Sequence, residues 1–309
     1  AYMIFTSHLT RRLILLIIIS SLGACSALKA PTKTITKKQD SRITLSSVVP
    51  VLSSIAQELC ENTLIDANHL APKRYSIKRI PGWIKRQTTE SFPHSDVALG
   101  MSSVWPTINI YPSLRTTNIG IIPIDAAQAL IPGGERVAIT PTEGLPAYFW
   151  LSPANAMVMI GIVHRDLLSV IEQSDLKKET KQITIRALKA NFLSMIQNLR
   201  TIQINIDLLL QSHEVMQVAI NKQVLSGLAS ATLLPEVSLK EATSNTFKTL
   251  YITNKPKGHA TVSDLPKHIT VWHIDDFSKP RSGSFTKRWA QSLSTLEEAS
   301  KTLHLTQGV

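Results

Sequence analysis

Residues 175–212, DLKKETKQITIRALKANFLSMIQNLRTIQINIDLLLQS, decide the architecture. The stretch contains neither Gly nor Pro. Leu188, Phe192, Met195, Leu199, Ile202, Ile206 and Leu209 recur in steps of four and three, which places them on one face of an α-helix. At 1.5 Å per residue such a helix runs roughly 50 Å or more. A 100-residue domain has a radius of gyration of only about 13 Å, so the rod is longer than one small lobe uses. A coiled-coil dimer would show the same spacing. Here, though, the repeat is isolated and flanked by segments of α/β character, which suits a helix joining two lobes.

Just before the rod, Ser152-Pro153 is a helix start: a serine N-cap followed by a proline whose missing N–H costs nothing in the first turn. Met157, Ile160, Val163, Leu167 and Ile171 then form a helical stripe. Further upstream, β-rich runs at 43–49, 97–101 and 119–124 (IGIIPI) alternate with helical patterns, the first opening at Pro50. Downstream, 216–220, 249–252 and 268–274 read as strands, and Phe285, Trp289, Leu293, Leu296 and Leu303 mark a closing amphipathic helix. Alternation of this kind predicts an α/β protein: two lobes with mainly parallel sheets joined by one long rigid helix. The first lobe spans 42–174, the helix 175–212 and the second lobe 213–309.

The N-terminal region points to export. Arg11 and Arg12 precede the apolar run LILLIII at 13–19, which is too short for a span of about 20 residues and suits a signal peptide. Leu22-Gly23-Ala24-Cys25 resembles the lipobox of bacterial lipoproteins, which implies lipidation of Cys25 after a signal peptide at 1–25. Each buried methylene of such a lipid contributes roughly 0.8 kcal/mol of membrane affinity. Residues 26–41 are polar, basic and aperiodic, and are expected to be a flexible tether. The one other cysteine, Cys60, falls at helical spacing from Ile55, Ala56 and Leu59 and is expected in the core. The chain of 309 residues carries a formal charge of +11. Behind an export signal that charge suits a surface beside an anionic bilayer rather than a nucleic acid.

Signal, tether, α/β lobe, uninterrupted helix and second α/β lobe together resemble the solute-binding lipoproteins of ABC transporters that take up zinc or manganese. The best local match is Phe149-Trp150-Leu151-Ser152-Pro153-Ala154-Asn155-Ala156, similar to that family's His-hydrophobic-Trp-Leu-(Ser/Asp)-Pro-x-Asn-Ala segment. The resemblance implies a monomer at the cell envelope, facing the periplasm or the outside. It would pass a small solute, expected to be a divalent metal ion (zinc or manganese) or a metal chelate, to an ABC permease in the inner membrane. It also implies four metal ligands in the cleft between the lobes, and here the sequence departs. Tyr148 stands where the family has a His, Lys73 falls on another His position, and Asn221-Lys222 on a third ligand position. Only the fourth, an acidic residue ending a late strand, has a candidate in Asp275, with Asp276 beside it. His69, four residues from Lys73, is the one substitute metal ligand worth naming.

A phenol with a pKa near ~10 is a poor ligand for a first-row metal. A lysine about 4 Å from a cation opposes it by about 4 kcal/mol at an effective dielectric of 20. A cleft built from Lys73, Arg74, Tyr75 and Tyr148, with Trp105 nearby, suits an anionic organic molecule or a metal already wrapped in an anionic chelator. The competing reading is a merely basic loop, with Arg79 and Trp83 forming a cation–π pair. No HExxH, GxSxG or Gly-rich phosphate fingerprint occurs, so no enzyme is expected. Two alternatives remain open: an adaptor lipoprotein that has lost its ligand, and a hydrolase using Asp275.

Overall fold

The computed structural model describes residues 42–139, 146–259 and 265–304. The signal peptide with Cys25, and the tether, lie outside the described residues. Four strands make the first sheet: β1 (Ile43–Ser47), β2 (Ile65–His69), β3 (Val97–Gly100) and β4 (Ile122–Asp125). Their order is β2-β1-β3-β4 and every pairing is parallel, with Ile43 opposite Ile65, Leu45 opposite Val97, and Val97 opposite Ile122. The second sheet, β5 (Gln217–Ile220), β6 (Thr249–Thr253) and β7 (Ile269–His273), runs β5-β6-β7, again all parallel. Parallel neighbours need crossover connections, and these are largely helical. The helices are α1 (Pro50–Leu59), α2 (Ile80–Ile84), α3 (Tyr111–Arg115), α4 (Pro153–Gln173), α5 (Lys178–Ser212), α6 (Ser226–Ala231), α7 (Leu239–Ser244) and α8 (Phe285–His304).

Helix α5 is the rod expected from the sequence. Its 35 residues are unbroken and correspond to about 52 Å. Leu188, Met195, Leu199, Ile202 and Ile206 are buried against α1, α4 and α8. Phe192 is half-buried and stacks on His164 of α4 at 4.2 Å. The Asn191 amide donates to the Leu59 and Glu61 carbonyls at 3.0 and 2.7 Å, satisfying the C-terminal end of α1. Ser152 caps α4 as expected, accepting from the Asn155 N–H at 3.4 Å, with Pro153 in the first turn. Ser152→Ala is expected to cost about 0.5–1 kcal/mol, at the weaker end because the bond is long. Urea unfolding of the variant beside wild type measures it.

The two sheets are held together by more than α5. Both contribute to one hydrophobic core, in which Leu52, Ile55 and Leu59 of α1 belong with Phe277, Phe285 and Trp289 from the second half of the chain. The Glu58 carboxylate of α1 accepts from the Thr286 N–H at 2.8 Å and from the Thr286 hydroxyl, capping α8 from another helix. Cys60 is buried in the core, and burial pushes its thiol pKa up to about 12, so it is chemically inert.

One local expectation needs correction, and one strand went unread. The IGIIPI run is not a strand throughout. Ile119 is exposed, a turn closes on Asn118, whose side-chain oxygen accepts from the Gly120 N–H, and the strand begins only at Ile122. It is an edge strand containing Pro123, which explains its open flank. The other edge, β2, carried no apolar run to reveal it. It reads IDANH, with Asp66 held by the Arg42 guanidinium at 2.8 and 2.9 Å.

Candidate functional site

In parallel sheets, loops at the carboxyl ends of the strands gather around any ligand. Strands β5, β6 and β7 run out into Asn221-Lys222, Asn254-Lys255 and Asp275-Asp276. Opposite them stand Ser76 and Lys78, from the loop after β2, and Tyr148. Of these, Ser76, Lys78, Tyr148, Lys222, Asn254, Lys255 and Asp276 line a cavity of about 440 Å³ together with His259, Lys279 and Arg281. Three contacts hold its walls in register: the Ile77 N–H donates to the Ser278 carbonyl at 2.7 Å, the Trp150 indole to the Asp276 carbonyl at 3.0 Å, and the Tyr148 N–H to the Val224 carbonyl at 2.8 Å. Along the floor, the Lys222 ammonium donates to Asn254 Oδ1 at 3.3 Å, and Asn254 Nδ2 to Asp276 Oδ2 at 2.6 Å. The Ser278 N–H donates to the other Asp276 oxygen at 2.9 Å.

The aromatic triplet at the mouth of α4 divides its work. All three rings are buried; Phe149 and Trp150 tie α4 to the second half of the chain, and Tyr148, only 2% exposed, borders the cavity with its ring stacked on Trp150 at 4.6 Å. Burial raises the Tyr148 phenol pKa, and the negative charge of Asp276 raises it further, so the hydroxyl stays protonated. Helix α6 presses so closely here that a Cβ on Gly227 would lie 3.2 Å from the Tyr148 carbonyl oxygen.

No family model matches the chain, and no curated protein matches it. Solved structures do. The SBP FpvC of Pseudomonas aeruginosa in complex with Mn2+ aligns with a TM-score of 0.58 at 11% identity, covering 85% of this chain and 99% of that one. The metal-dependent lipoprotein YcdH of Bacillus subtilis gives 0.54 at 11%, covering 84% and 99%. AdcAII of Streptococcus pneumoniae gives 0.55 at 13%, again covering 84% and 99%. The fold is that of the metal-type solute-binding proteins.

Within this solute-binding fold, the residues expected at the site are redistributed. Lys73 does not reach the Tyr148 cavity. It lines a neighbouring one of about 350 Å³ with His69, Ser53 and Arg281. Arg74 is exposed and sits 5.6 Å over the Tyr75 ring; Arg79 sits over the same ring at 5.8 Å instead of pairing with Trp83, which meets Phe92 edge-on. Arg74 and Tyr75 thus form a surface stack rather than a ligand wall, and Trp105 is buried in the core. Asp275, the expected cation ligand, is held by the Arg288 guanidinium at 2.8 and 2.9 Å. Lys78, Lys222, Lys255, Lys279, Arg281 and Asp276 take over the cavity. Apart from Lys78, they follow closely on the ends of parallel strands, and that placement was the available sequence signal.

The donor set does not fit a bare first-row cation. Among the described residues no group of three or more His, Cys, Asp or Glu side chains converges. His69 bonds to the Ser53 hydroxyl at 2.7 Å, and burial lowers its pKa to about 4. Because the unfolded chain binds that proton near pH 6.5 and the folded one only near pH 4, stability is expected to fall as pH drops through this window. With partial exposure allowed for, the loss is about 2 kcal/mol. Urea midpoints at pH 7 and pH 4 measure it, and the His69→Gln variant should lack that share of the loss.

Proposed function

We propose that the protein is the solute-capturing component of an ABC-type importer, tethered to the cell envelope through a lipid on Cys25. Its cargo is an anionic organic molecule, free or already wrapped round a metal ion, and it binds between the two sheets before passing to a membrane permease. One observation carries this reading: the cavity under Tyr148 is lined by four lysines, Arg281 and His259, with Asp276 as the carboxylate among them. Such a field repels a naked divalent cation and attracts a carboxylate or phosphate. The one acidic group that the metal-type resemblance offers, Asp275, is already neutralised by Arg288.

The role proposed here is binding without chemistry, since Asp275 is engaged in an ion pair rather than poised as an acid or base. Titration calorimetry with zinc and manganese chlorides, and with their nitrilotriacetate complexes, tests the reading. The complexes should bind and the chlorides should not; sub-micromolar affinity for either bare ion contradicts it.

A further inference from the structure

Asp276 is out of place in a cavity built for an anion. Its carboxylate lies on the cavity floor among cations, and it repels the cargo those cations attract. Two of its lone-pair positions are filled, by Asn254 Nδ2 at 2.6 Å and the Ser278 N–H at 2.9 Å. A carboxylate offers about four, so acceptor capacity remains beside the cavity. Near it stands the Tyr148 phenol, kept protonated by burial and by Asp276 itself, its hydroxyl without a hydrogen-bonding partner among the described residues. A wall that carries the Lys78 and Lys279 cations, with Lys222 joined through Asn254 to the acceptor Asp276, is matched by a molecule with two kinds of group.

We infer that the solute is a polycarboxylate that also carries a hydroxyl or amino group, with its carboxylates on the lysines and its donor on Asp276, next to the Tyr148 hydroxyl. This rests on the anionic-solute reading above and refines it. A polar site left unpaired by a ligand lacking the matching group loses far more affinity than a missing methylene would cost, so Asp276 acts as a filter between acids of equal charge. Simple anions gain the lysines but meet the bare carboxylate, which disfavours them.

Citrate and tricarballylate supply the test, because they share three carboxylates and differ by one hydroxyl. Titration calorimetry on the full chain should show citrate binding at least about tenfold more tightly, a ratio typical of one well-placed hydrogen bond to a charged group. Asp276→Asn should shrink that ratio below about threefold, with tricarballylate binding unchanged or tighter as a repelling charge is lost. Lys279→Met should weaken both acids together and leave their ratio intact. Equal affinities for the two acids in wild type overturn the donor subsite but leave the anionic reading standing. Binding of neither acid overturns the inference, and if the nitrilotriacetate complexes also fail to bind, the anionic reading falls with it.

Discussion

Arg288→Met is expected to destabilise the protein by about 3–5 kcal/mol, the range for breaking a buried ion pair from one side. Arg288 is 1% exposed, although it is among the largest side chains in the molecule. Its guanidinium holds both Asp275 oxygens, donates to the Ser54 hydroxyl of α1 at 2.8 Å and to the Lys279 carbonyl at 3.3 Å, and lies 4.3 Å over the Phe277 ring. One cation thus joins α8, the segment after β7 and the helix that follows β1. Methionine keeps the stem's packing and leaves half-buried Asp275 with only the exposed Arg281 guanidinium, 3.7 Å away. Urea unfolding measures the loss. The double variant Arg288→Met/Asp275→Asn should recover part of it, because the stranded charge is then gone. A loss under about 1 kcal/mol would mean the pair contributes no more than a surface bridge.

The largest functional effect is expected from Lys78→Glu/Lys279→Glu. Both side chains are exposed at the cavity and approach it from opposite sheets, so neither reversal should disturb the core. Even at the dielectric of water a unit charge at 4 Å contributes about 1 kcal/mol, and reversing it about twice that. Two reversals should therefore weaken anion binding at least about a hundredfold with little change in stability. The wild-type affinity should fall with added salt, which screens rim charges of this kind. Calorimetry at two salt concentrations reads both effects. An unchanged affinity in the double variant would place the solute elsewhere.

The long helix was legible because its signal is redundant. Leu188 to Leu209 repeat one spacing over six turns, and no Gly or Pro interrupts them. The sheets were legible where strands are buried on both faces, as in β1 and β6, and poorly so at the edges. Half-buried β2 carries Asp66 and Asn68, and β4 begins three residues later than its apolar run. The Ser152-Pro153 start was readable from local chemistry alone. The site was less legible because it is made across the chain. Tyr148 could be placed in the cavity from its position before α4, but its neighbours come from loops after β2, β5, β6 and β7. Arg74 and Tyr75 had the right chemistry but stack at the surface, Lys73 lines a separate cavity, and Lys78, three residues after Tyr75, lines the one beside Tyr148. Asp275 and Asp276 are adjacent in sequence yet differ entirely in role. One faces Arg288 and the other faces the cavity, and only the packing of α8 separates them.

The most direct test of an anionic solute held between the two sheets is native mass spectrometry of the protein purified from its own envelope. Wild type should carry an additional mass corresponding to an organic acid or its metal complex, and Lys78→Glu/Lys279→Glu should lack it. A retained mass equal to a bare zinc or manganese ion, kept by both proteins alike, would contradict the account.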